Sequence, residues 1–159
     1  MVYIRIKKIN HGHYAYLVES KNTSAGPRQK VKQYLGKIIK VEPLSSSTKE
    51  NIVAKSPQEF LMKLITQELR RHGFIPQKNL FQQGGITFSP HNLTITKKNN
   101  KEIVLHWNQG FLSTYTLERL FSFKKTKDLT TDAHTLAKHF LEAGLPLSRE
   151  EFVQFYQLL

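Results

Sequence analysis

The chain has 159 residues, 39% of them hydrophobic and 11% aromatic, enough to build a core and too apolar for global disorder. Twenty-four Lys and Arg against twelve Asp and Glu give a net charge of +12, a balance that favours a polyanionic partner. The absence of cysteine excludes disulfides and thiolate metal sites, and no apolar run approaches the ~18 residues of a membrane span, so the expected location is cytoplasmic, or nucleoid-associated if the partner is DNA.

Residues 2–8 (VYIRIKK) alternate apolar and polar side chains and predict a strand. Asn10-His11-Gly12-His13 is turn chemistry, with Gly12 free to take positive φ. Residues 14–20 (YAYLVES) predict a second strand and residues 28–41 a third, with a bulge or strand end at Gly36. Together they form a three-stranded antiparallel meander, a basic sheet module over residues 1–42. Residues 43–56, with Pro43 and three consecutive serines, read as a linker.

An α+β domain is expected over residues 57–159, containing a β-hairpin and about four helices, so the fold class is α+β. Ser56-Pro57-Gln58-Glu59 marks a helix start, with Ser56 as N-cap and Glu59 closing a capping box; the helix runs to about His72 and stops at Gly73. A strand at 86–88 and a hairpin of 92–97 with 102–107 follow. A helix is expected over 114–123, another over 133–143 capped by Thr131-Asp132, and a last one from the Ser148–Glu151 capping box to about Leu158.

Residues 1–55 hold eleven Lys and Arg against three Asp and Glu, so most of the net charge sits in the first third. Residues two apart on a strand share a face. Simple alternation puts Tyr3, Arg5, Lys7, Tyr14, Tyr16, Arg28, Lys30, Lys32 and Tyr34 on one face, with no acid. Val2, Ile4, Ile6, Ala15, Leu17, Val31 and Leu35 fall on the other, which packs on the rest of the protein. A basic, tyrosine-bearing face can neutralise phosphates, lie in a duplex groove or stack single-stranded bases. The alternative is a solvated face on which tyrosines cover lysine stems.

The same residues carry a resemblance. Tyr14-x-Tyr16-Leu17-Val18-Glu19-Ser20, then Gly26-x-Arg28-Gln29-Lys30-Val31, then Tyr34-Leu35-Gly36 resembles the opening segment of insertion-sequence DDE transposases, over about residues 2–37. The resemblance implies a small DNA-contacting sheet with Arg5, Lys7, Arg28, Lys30 and Lys32 on phosphates. The long catalytic core of that family does not fit in the remaining residues, so transposase activity is not implied.

No catalytic constellation is recognised. His11 and His13 lack a third ligand, His134 and His139 are five apart on a helix, and the Gln83-Gly84-Gly85 turn lacks the Lys-Ser/Thr of a phosphate loop. No cofactor or metal is expected. A small enzyme of unfamiliar type would need a cleft that joins His106, Asn108 or Glu118. The apolar residues from Phe111 to Phe123 and from Leu136 to Leu158 read as core, or as a protein-interaction surface. The expectation is therefore a non-catalytic protein that binds DNA or structured RNA through Tyr3, Arg5, Lys7, Tyr14, Tyr16, Arg28, Lys30, Lys32 and Tyr34, with a C-terminal domain for stability or recruitment of a protein partner. The alternative is an adaptor or assembly subunit with no nucleic-acid contact.

Overall fold

The computed structural model describes residues 1–44 and 48–159. Three strands, β1 (Val2–Ile9), β2 (Gly12–Thr23) and β3 (Gly26–Lys40), form the expected meander. Helix α1 (Pro57–Arg71) follows, then short strands β4 (Ile75–Gln77), β5 (Leu80–Gln83), β6 (Ile86–Ser89) and β7 (Thr94–Lys97). Next come β8 (Lys101–Trp107), β9 (Gly110–Leu112) and helices α2 (Thr114–Phe121), α3 (Leu129–Glu142) and α4 (Arg149–Leu158). The architecture is α+β. One sheet runs β1-β2-β3-β8-β7-β6-β5-β4, with β9 pairing β8. The meander joins the rest through four parallel pairs, from Lys37 with Ile103 to Lys40 with His106.

Strand β8 organises the packing because it is buried on both sides. Ile103, Leu105 and Trp107 enter the main core with Phe60, Leu64, Phe88 and Phe155. Val104, one step out of phase, enters a smaller cluster with Ala15, Leu17 and Leu35, closed by Ile4, Ile38, Phe111 and Tyr115. A strand buried on both faces requires a continuous apolar run, and Ile103-Val104-Leu105 supplies it. A polar node locks α1 to the β8–β9 turn. The fully buried Glu68 carboxylate accepts from Arg71 at 3.1 Å and from the Asn108 side-chain amide at 2.9 Å. Asn108 also donates to the Gly144 carbonyl, and the Trp107 indole donates to the Ala143 carbonyl at 2.9 Å.

Several local expectations change. Asn10 (φ 53), not Gly12, takes the left-handed conformation of the β1–β2 turn. Ser56 caps α1 as expected, accepting from the Glu59 N–H at 3.1 Å, but the Glu59 carboxylate accepts from the Lys55 N–H rather than closing a box on Ser56. Helix α3 begins earlier than 133. Its N-cap is Asp128, which accepts from the N–H groups of Thr130 and Thr131, whereas Asp132 is buried and receives the Thr126 N–H and hydroxyl. The Ser148–Glu151 capping box forms in full. Strands β4, β5 and β9 were not expected; each is three or four residues long, too short for alternation to show. The expected linker includes residues 45–47, outside the described residues. Its described part is tied down: Ile52 is buried, its carbonyl accepts from Gln154, and the Pro146 carbonyl accepts from Lys49. Among the described residues no helix is long and apolar enough to cross a membrane.

Candidate nucleic-acid interface

The meander leaves the body as an arm. Only Lys37–Lys40 of β3 pair with β8, so residues 26–36 of β3 project with β1 and β2, roughly 30 Å at strand rise. Gly36 sits where the arm departs. Its φ is +137, and a Cβ there would lie 2.7 Å from the Glu102 carbonyl oxygen, so only glycine lets β3 pass β8 this closely.

Two irregularities in β3 decide which side chains share a face. The pairing runs Ala15 with Gly36 but Tyr16 with Tyr34, and Leu17 with Gln33 but Val18 with Val31. Leu35 and Lys32 are therefore extra residues, and each shifts the alternation by one. On one face lie Tyr3, Arg5 and Lys7 of β1, Tyr14 and Tyr16 of β2, and Tyr34 and Lys37 of β3. Lys30 pairs with Glu19 and Arg28 with Lys21, placing both on the opposite face, and Lys32 joins them through an ion pair to Glu19 at 3.3 Å. The single acid-free face expected from simple alternation is thus corrected. Tyr3, Arg5, Lys7, Tyr14, Tyr16 and Tyr34 stay together; Arg28, Lys30 and Lys32 lie behind them beside a carboxylate. Val31 moves the other way, onto the tyrosine face opposite Val18.

The tyrosine face is a packed cluster. The rings of Tyr16 and Tyr34 are 5.2 Å apart and those of Tyr14 and Tyr34 6.5 Å, all tilted, and the Lys7 ammonium sits 5.0 Å from the Tyr16 ring centre. Arg5 reaches across β2 to donate to the Gln29 side chain. Partial burial, followed by the nearby Tyr16 and Tyr14, raises the Tyr34 phenol above its usual pKa, so it remains a neutral donor. Lys37, opposite Tyr14, is a member that alternation alone misses, because the bulge at Leu35 brings it into phase. On the other face, the hydrogen bond from Lys32, then Lys21, holds the Glu19 carboxyl below its usual pKa. Arg28 and Lys30 are exposed and make no ion pair among the described residues.

The other candidates do not converge. His106 stacks on Phe111 at 4.8 Å, Asn108 is held by Glu68 and Gly144, and Glu118 is exposed on α2. Among the described residues no three His, Asp or Glu side chains are grouped to hold a metal ion. His139 is buried in α3 and His134 exposed, so the two do not act together. A broad trough of about 850 Å³ on β4–β7 is lined by groups such as Gln77, Gln82, Thr87, Thr96 and Lys98, and its lining includes no carboxylate or imidazole. No known family, curated protein or solved structure matches the chain.

Proposed function

We propose that the protein binds DNA or structured RNA through the β1–β3 arm and performs no chemistry on it. The observation that carries this reading is a projecting arm with cations on both faces, a tyrosine cluster on one of them and one carboxylate to offset the charge. Lys and Arg so placed displace counterions from phosphates, which is the main source of affinity in such binding. The resemblance of the same segment to transposase leaders points the same way. The α+β body supports the arm, and a cytoplasmic location fits this role.

Salt dependence of binding tests the reading. Replacing Arg5, Lys7, Arg28, Lys30 and Lys32 by Ala should flatten the slope of log affinity against log salt by several units, ~0.9 for each duplex phosphate that is no longer neutralised. Equal slopes for parent and variant would overturn it. Purification of the native chain that yields a nuclease-resistant protein complex and no nucleic acid would favour the adaptor instead.

A further inference from the structure

Resting on that reading, we infer that the arm is a groove reader for duplex DNA. It enters the major groove tip first, with phosphates gripped on both of its faces at once. Three observations converge. The first is the division of charge. Arg5 lies on one face and Lys30 and Lys32 on the other, with Lys7 behind them at the level of Lys37, so the cations flank a thin blade rather than pave one surface. A paved surface suits one strand or one side of a helix; a blade charged on both sides suits a slot whose two walls carry phosphates.

The second is the shape and chemistry of the tip. Past Ser20, which exchanges backbone hydrogen bonds with Met1, only β2 and β3 remain: Lys21 pairs Arg28, Asn22 pairs Pro27 and Thr23 pairs Gly26. The turn is Ser24-Ala25, closed by Gly26 at the start of β3. Gly26 takes φ +100 with no atom within 4 Å of a Cβ placed there. Lys21, Asn22 and Arg28 are all exposed, and these are side-chain types that hydrogen-bond base edges. A sheet with side chains on both faces is about 10 Å thick. That fits a B-form major groove about 12 Å wide and not the minor groove of about 6 Å. It does not fit the deep, narrow major groove of A-form RNA.

The third is the state of the tyrosines. Platforms for single-stranded bases present open ring faces, but Tyr14 and Tyr16 both pack on Tyr34, which keeps 52% of its surface exposed, and Lys7 sits over Tyr16. They stiffen the blade behind its tip.

The test compares three labelled probes of one mixed sequence, a DNA duplex of about two helical turns, the RNA duplex and the DNA single strand, at about 100 mM salt. The DNA duplex should bind at least about tenfold tighter than the RNA duplex, which carries the same charge but a different groove. Methylating guanine N7, which projects into the major groove, should weaken DNA binding several-fold, because it blocks an acceptor on that base edge. The exposed double substitution K21A/R28A should bring DNA affinity down toward that of RNA while the circular dichroism and melting temperature hold. Equal affinity for the two duplexes, tighter binding of the single strand, indifference to N7 methylation, or a tip variant that keeps the DNA preference would each overturn groove reading and leave nucleic-acid binding standing. No binding of any probe at about 50 mM salt would overturn both.

Discussion

The Arg119 guanidinium donates to His139 Nε2 at 2.6 Å, which requires that nitrogen to be an unprotonated acceptor. Burial first, then the nearby Arg119 and Lys138 charges, push the His139 pKa down to about 4. The unfolded chain, with its histidine at the ordinary value, binds more protons between ~6.5 and 4. Stability should therefore fall as pH drops through that window, at up to ~1.4 kcal/mol per pH unit. Glu19, Glu42, Glu59 and Asp128, all held below their usual values by hydrogen bonds, lose their contributions only in more acidic solution. Urea unfolding of the parent and His139→Gln at about pH 7 and about pH 5, above the window and inside it, checks this: the parent should weaken and the variant should not, and equal weakening would assign the effect elsewhere. Spacing alone separated His139 from His134, but the partner that makes His139 an acceptor sits on α2 and has no sequence signal. Gly36 is the opposite case, marked in the sequence as a bulge or strand end and found beside the bulge at Leu35. Gly36→Ala, at φ +137 and against the Glu102 carbonyl, should cost at least ~1–3 kcal/mol in denaturant unfolding. A neutral result would mean that β3 can step away from β8.

Strand identity was readable across the arm, whereas the assignment of faces was only half readable. Alternation holds along β1 and β2, where the Ile4, Ala15 and Leu17 side and the tyrosine side separate as expected. It fails along β3, because a strand pattern counts every residue and each bulge adds one that has no partner. Gly36 hinted at the first irregularity; nothing in Val31-Lys32-Gln33 announces the second, where Lys32 meets Glu19 across the strands. The same limit explains α3: Asp128 and Asp132 are both acceptable caps, and only the loop that delivers Thr126 to Asp132 chooses between them. Glu19 is thus the one carboxylate on the arm, beside Lys21 at 3.5 Å and Lys32 at 3.3 Å. On the nucleic-acid reading, Glu19→Gln frees both lysines. The salt slope should steepen by up to ~0.9 per lysine newly placed on a phosphate, with stability little changed because both lysines are exposed to solvent. A slope equal to the parent's would mean that the Lys21–Glu19–Lys32 face does not meet the polyanion.

At the scale of the molecule, arm and body meet at β8 and the small cluster of Ala15, Leu17, Leu35 and Val104. Leu35→Ala should cost about 2 kcal/mol or somewhat more, the low end for a buried leucine because the cluster is small. Hydrogen exchange should then show β2 and β3 losing protection before the helices; uniform loss would mean that arm and body unfold as one unit. The apolar run of β8 was visible in the sequence, but that it receives a parallel partner from residues 37–40 was not, since pairing across α1 and β4–β7 leaves no local trace. That pairing also sets an order of events during synthesis. Residues 1–36 leave the ribosome well before β8 exists, so the meander can close on itself but has no strand to dock against until residues 101–107 emerge. A nascent chain stalled before β8 therefore exposes Leu17 and Leu35 on an unanchored ribbon, the stretch where a chaperone would find it first.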